Sequence, residues 1–323
     1  MQNHQGIKKV RLSDVADACG VRASTVSRVL SGVSEGFSVK ENVRKLILDT
    51  ARSMNYVPNA AARHLRSNRT MSIQVLGFHF NWIGSYSQIL EVCTDLLNRK
   101  GYMVNAVFGN YSRMRFAPML TDGVVLITAE NRELLQKIRE AELPFVVVND
   151  RLGDDECWIE YDNAGSVRKN MEYLIGAGCR RIVYSGHFGF FYHTTHPSIR
   201  TRREGYRELC RLHGLETFEL PDGIPPEDAA KSVRDCHADG VLCYSADNAA
   251  ELVNLLSVME IQVPEQVKIA SFNKPAAHTD RIAYTEIDTD LVGRTVAELL
   301  LNRIEKGTVG HCIFHSDFYR PPS

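Results

Sequence analysis

From Leu12 the apolar residues Leu12, Val15, Ala16 and Cys19 fall at helical spacing, and the run stops at Gly20, which can take the left-handed conformation that closes a helix. After Gly20-Val21-Arg22 a second short helix is predicted, with Val26, Val29 and Leu30 on one face and Ser24, Thr25, Ser27 and Arg28 on the other, ending at Gly32. Two short helices joined by a tight glycine-containing turn, with the small Ala16 where they cross, form a helix-turn-helix. A third helix is expected to start at Ser38-Val-Lys-Glu41, which has capping-box spacing, and to bury Val43, Leu46, Ile47, Ala51 and Met54.

Beyond Met71 the pattern changes. Short β-rich apolar runs alternate with amphipathic stretches: strand 73–78, helix 87–100, strand 103–108, strand 123–128, helix 132–141 and strand 145–149. The alternation recurs after Asn163, with a helix to Gly176, strand 181–184, helix 202–213, strand 240–244, helix 248–259 and strand 267–271. The predicted fold class is an all-α helix-turn-helix head followed by a bilobed α/β body with parallel sheets. Ligands of such sheets bind at the carboxyl ends of the strands. That places the candidates at His79, Phe80, Asn81 and Trp82, at Asn149, Asp150 and Arg151, at 187–193, at Asp247 and at Asn273.

Charge sharpens this division. The 323 residues carry a net charge of -1, yet residues 1–70 hold twelve Lys/Arg and five Asp/Glu, so the remainder is net negative. A basic head on an acidic body points to a polyanion at one end. On the predicted second helix Ala23 and Ser24 allow close approach to DNA, Thr25 and Ser27 can donate to phosphate, and Arg28 can reach a guanine edge bidentately in the major groove. A hydrophobic content of 44% supplies a core for two or three domains. No apolar run suits a membrane span or a signal peptide, so a cytoplasmic protein is expected. Eight scattered cysteines without a CxxC pair read as reduced core thiols.

The series DVADACGVRASTVSRVLSG…VKENVRKLILDTARSMNYVPNAAARHLRSNRT resembles the headpiece and hinge of the lactose-repressor (LacI/GalR) family of transcription regulators. Weaker landmarks (DGVVLIT, PFVVVNDR, DNAGS, GCRRIVYSG, RREGY, VPEQVKIASFN, LVGRTVAELLLNRI) extend the resemblance over nearly the whole chain and imply a body of periplasmic-binding-protein type. The resemblance implies a head over 1–58, a hinge over 59–70, a first lobe of 71–161 plus 289–312 and a second of 162–288 plus 313–323. It implies DNA contacts by Asn59, a minor-groove wedge at Leu65, and Ala61 or Ala62 as the small residue that lets two hinges pack. An apolar side chain can wedge a base step while flanking arginines neutralise phosphates. By the same resemblance Arg202 and Ser198 are effector contacts. An arginine fork takes a carboxylate, phosphate or hydroxyls, and Trp82, Phe190 or Tyr192 could stack on a pyranose.

The chain also departs from the family. The span between Phe108 and Gly123 lacks an amphipathic helix, Asn273-Lys274 stands where the family carries two aspartates, Ala246 replaces an asparagine, and Ile224 replaces a ligand-stacking aromatic. His187, His193 and His196 crowd one loop without metal-ligand spacing, and His311 and His315, on one face of a predicted strand, would lie ~13 Å apart. Neither a metal, a cofactor nor an enzyme signature is expected.

The expected function is that of a homodimeric repressor of a roughly palindromic operator in double-stranded DNA, governed by a small molecule between the lobes, a sugar or sugar derivative. An effector-independent regulator with a degenerate cleft and a sugar-binding protein without a regulatory role remain as alternatives. Replacing Arg28 with Ala is expected to relax preference at one base position by ~1–3 kcal/mol. Binding-site selection on the variant checks this, and an unchanged site preference would remove Arg28 from the readout.

Overall fold

The computed structural model describes residues 10–31, 37–57, 69–77, 85–107, 117–188 and 196–322. The chain forms two compact units, Met1–Thr70 and Met71–Ser323. In the head, α1 (Leu12–Cys19), α2 (Ala23–Ser31) and α3 (Glu41–Ser53) close around Val15, Ala16, Val26, Val29, Ile47 and Ala51. Gly20 ends α1 at φ 64, and the next amide, of Val21, donates to the Ala16 carbonyl at 3.1 Å. A Cβ there would meet nothing within 4 Å, so the left-handed backbone rather than space calls for glycine.

The third helix differs from its predicted start. Lys40 is its N-cap and no side chain caps it, so Ser38 and Glu41 make no capping box. Its apolar stripe holds at Val43, Ile47, Ala51 and Met54, but Leu46 is 48% exposed and Leu48 packs against the core in its stead.

The body contains two six-stranded sheets. The first has the order β11 (His311–Phe314), β5 (Cys157–Tyr161), β4 (Phe145–Val148), β3 (Gly123–Ile127), β1 (Ser72–Leu76) and β2 (Met103–Ala106), all parallel. The second runs β12 (Asp317–Tyr319), β10 (Ile282–Glu286), β9 (Lys268–Phe272), β8 (Gly240–Cys243), β6 (Ile182–Ser185) and β7 (Phe218–Glu219), with only β12 antiparallel. The segments GVVLI and FVVV are buried throughout, as strands covered on both faces must be, whereas β2 at an edge is largely exposed.

Helices α4 (Ser85–Arg99), α5 (Arg132–Glu140) and α10 (Thr289–Lys306) belong to the first sheet. The second carries α6 (Asn163–Gly176), α7 (Pro197–Leu212), α8 (Pro226–Asp235) and α9 (Ala246–Val258). The chain crosses between sheets after β5, after β10 and after β11. The crossing expected after residue 312 falls inside β11, which runs to Phe314. Two crossings are stitched together, His315 Nδ1 lying 2.8 Å from Asp162 Oδ2 and Ser166 Oγ 2.9 Å from Ser316 Oγ. His311 and His315 therefore do not share a strand face: His315 lies past the strand, and His311 stacks on Trp158 at 4.6 Å.

Of the span between Phe108 and Gly123, the described residues from Ala117 onward form a 3-10 turn, Pro118–Leu120. The eight cysteines are free thiols, and burial pushes Cys93 up to about 12. Among the described residues no helix is long and apolar enough to cross a membrane, and no group of three His, Cys, Asp or Glu could hold a metal ion.

Helix α10 packs closely along α4, and Gly293 is the point of nearest approach: a Cβ there would lie 2.6 Å from the Ile89 carbonyl oxygen and 2.8 Å from Val92 Cβ. Backbone cannot yield as a flexible side chain does. Gly293→Ala is expected to destabilise the body by ~1–3 kcal/mol, read as a lowered urea midpoint at unchanged slope.

Candidate functional site

On the head, α2 turns Ala23, Ser24 and Arg28 to solvent, with Thr25 and Ser27 half-buried at the rim of the same face. The Arg28 guanidinium lies 5.1 Å from the centre of the Phe37 ring. Ordering the arginine on an aromatic face reduces the side-chain entropy lost when it meets a base. Asn59, Ala61, Ala62 and Leu65 lie outside the described residues.

In the body, a cavity of about 280 Å³ opens where the carboxyl ends of both sheets meet. The residues following the strands line it: Thr128 after β3, Asn149 after β4, His187 and Phe188 after β6, Tyr244 and Ser245 after β8, and Asn273 after β9. Thr128, Asn149 and Asn273 have φ of 62, 63 and 65. Asparagine tolerates that region; a β-branched threonine does so only at a cost of roughly 1–2 kcal/mol.

Arg202, 9% exposed, rises from α7 into the cavity wall. Its Nε–H donates to Asn163 Oδ1 at 2.9 Å and its Nη1–H to the Tyr244 carbonyl at 2.9 Å, while the guanidinium lies 4.0 Å from the Phe272 ring centre and 4.8 Å from that of Tyr244. Beside it runs a chain of hydrogen bonds. Because a carbonyl only accepts, His196 Nε2 carries the proton given to the Asn149 carbonyl at 2.8 Å. Nδ1 then accepts from the Ser198 amide at 3.1 Å and from Ser198 Oγ at 2.6 Å, and Tyr244 OH donates to Ser198 Oγ at 3.0 Å. Asn149 continues the chain through Nδ2 to Tyr86 OH at 2.5 Å. His196 caps α7 in the second lobe while Asn149 ends β4 in the first, so this imidazole ties the lobes together.

Burial lowers the pKa of His196. It lowers that of His187 to about 4, helped by Arg202 and Arg203 against the pull of Asp222. Burial also raises Asp247 and Glu251, with Glu227 adding to the rise at Glu251. Two buried hydroxyls in the lining, Thr128 Oγ1 and Tyr161 OH, have no hydrogen-bond partner.

Of the effector contacts expected from the sequence, Ser198, Arg202, Asp247 and Asn273 line this cavity, and Trp82 and Phe190 lie outside the described residues. Asp150 stands apart from these four. It does not line the cavity; its carboxylate accepts from the Ala129 amide at 3.1 Å and the Arg151 amide at 2.9 Å, bracing the ends of β3 and β4. Ile224 lies against the core of the second lobe, bridged to Phe188, and Phe188 is the aromatic that meets the cavity. Tyr86, Tyr161, Tyr244, His196, Glu130 and Glu251 also belong to the site and carry no local motif.

A helix-turn-helix head in one chain with a two-lobed ligand-binding body defines a regulator of transcription. Residues 11–59 match the model of bacterial regulatory proteins of the lacI family, and residues 171–316 match that of the periplasmic-binding-protein-like domain. The chain is 26% identical to the sucrose operon repressor of Pediococcus pentosaceus, over 97% of each protein. It is 23% identical to the transcriptional regulator MalR of Streptococcus pneumoniae serotype 4, over 91% of this chain and 93% of that one. The lac repressor dimer bound to operator and the anti-inducer ONPF superposes with a TM-score of 0.80 at 17% identity, covering 97% of this chain and 98% of that one. The chain thus joins a lacI-family DNA-binding head to a periplasmic-binding-protein-like domain, the build of the LacI-family transcription regulators that are its relatives.

The neutral histidines have a pH consequence. A histidine whose folded pKa is depressed costs stability as pH falls, from the unfolded value near 6.5 down to the folded value, here about 4 for His187. The melting temperature of the wild type is therefore expected to fall more steeply between pH 6.5 and pH 4 than that of His187→Asn. Parallel slopes would show that His187 is not held neutral by burial.

Proposed function

We propose that this regulator is a repressor acting as a homodimer on a roughly palindromic operator, released or recruited by a sugar or sugar derivative bound between the lobes. The observation that carries the reading is the cavity in which Arg202, Ser198, His196 and Asn149 from both lobes converge. The relatives support the sugar: one is a sucrose operon repressor, and a solved LacI-type regulator is a complex of CelR with cellobiose. The lac repressor dimer bound to operator supports the oligomeric state and the DNA partner.

A ligand that touches both lobes binds one lobe arrangement more tightly than the other, and that difference alone can shift the population. In this reading residues 59–70 form a hinge that passes the shift to the head at 1–58, with Leu65 as minor-groove wedge. The lobes comprise 71–161 with 289–314, and 162–288 with 315–323. Such a regulator works in the bacterial cytoplasm, on the nucleoid.

Selection from a randomised duplex pool is expected to return palindromic sites. With that duplex as probe, a hexose or disaccharide should change operator affinity by roughly 5–150-fold in the wild type, and Arg202→Ala should lose the response while still binding the duplex. An unaltered ligand titration in the variant would sink the assignment of Arg202.

A further inference from the structure

The cavity is richer in negative charge than recognition of a neutral polyol requires. Glu130, Asp247 and Glu251 line it, against one lining arginine among the described residues. Asp247 and Glu251 stand one turn apart on the same face of α9, and Glu227 sets its charge against that of Glu251. Burial holds both above the usual carboxyl range, and no cation among the described residues draws either back. Arg202 is engaged elsewhere, bonded to Asn163 and the Tyr244 carbonyl and laid on two rings. His187 is neutral at pH 7.

A further feature bears on what would fill such a site. Tyr86, Tyr161 and Phe188 bring aromatic rings to the lining, beside the Tyr244 ring that Arg202 already covers, and a ring face attracts a cation. Carboxylates and ring faces together select an ammonium group, which binds both by charge-assisted hydrogen bonds and through the ring quadrupole.

We infer that the effector is an amino sugar, a small hydroxylated ring bearing a protonated primary amine, with Asp247 and Glu251 holding the ammonium. The inference rests on the reading of this cavity as the effector site.

Calorimetric titration of the full-length protein with glucosamine, galactosamine and mannosamine, each beside its parent hexose and its N-acetyl form, tests it. At least one amine should bind at least about tenfold more tightly than both neutral counterparts, because a hydrogen bond between charged partners exceeds a neutral one by that order. Glu251→Gln, at an exposed position where folding is not at risk, should lose that preference, as should Asp247→Asn. If a parent hexose or N-acetyl sugar binds as tightly as the amine, the amine assignment is overturned and the effector site stands. If no amine and no neutral sugar binds, both are overturned.

Discussion

A guanidinium buried in the second lobe is the interaction around which the ligand site is organised. A charge taken out of water must be met by hydrogen bonds and polarisable neighbours, or the fold loses several kcal/mol. Arg202 is met by Asn163 at the start of α6, by the Tyr244 carbonyl at the end of β8, and by the ring of Phe272 at the end of β9. Each partner adjoins a residue that faces the cavity or a crossing between the lobes. Satisfying one side chain thereby fixes the spacing of three elements that share no sequence neighbourhood, and the ring of Tyr244 is set where its hydroxyl can reach Ser198.

How much of this could be read beforehand depends on whether the cause was local. The turn at Gly20 was legible because a left-handed residue closing an apolar stripe is a short-range event, and β3 and β4 were legible because strands covered on both faces read as continuous Val, Leu and Ile. Helix α8 was missed because its buried face is Ala229, Ala230 and Val233, too small to give a strong periodic signal. Strand β5 was missed because CWIEY mixes a buried half with a partly exposed end. Strands β10 and β12 escaped as well. On α3 only Leu46 departs from the expected stripe: Leu46 and Leu48 flank Ile47 on its two sides, and periodicity alone does not say which flank the neighbouring helices cover.

The site divides along the same line. Ser198, Arg202, Asp247 and Asn273 follow from strand ends and from the family resemblance, and all four face the cavity. Asp150 occupies an equivalent chain position, but its oxygens are consumed by the amides of Ala129 and Arg151, a competition that no spacing rule registers. Tyr86, Tyr161, Tyr244 and His196 come from a helix start, two strand ends and a cap on both lobes. Tyr86, Tyr244 and His196 form one hydrogen-bonded network, with the Tyr161 ring beside that of Tyr86, only after both sheets have folded and faced each other.

The three crossings all leave from one side of the body, beside β11 and β5 in one sheet and β12 and β10 in the other, where Asp162, His315, Ser166 and Ser316 bind two of them together. The outermost strands β2 and β7 lie five strand spacings away, roughly 24 Å at ~4.8 Å each, and a rotation of about ten degrees about the joined edge would carry them ~4 Å. The body is thus geared like a long-handled lever: a displacement at the fulcrum too small to break any bond there becomes, at the far edge, a stroke longer than a hydrogen bond.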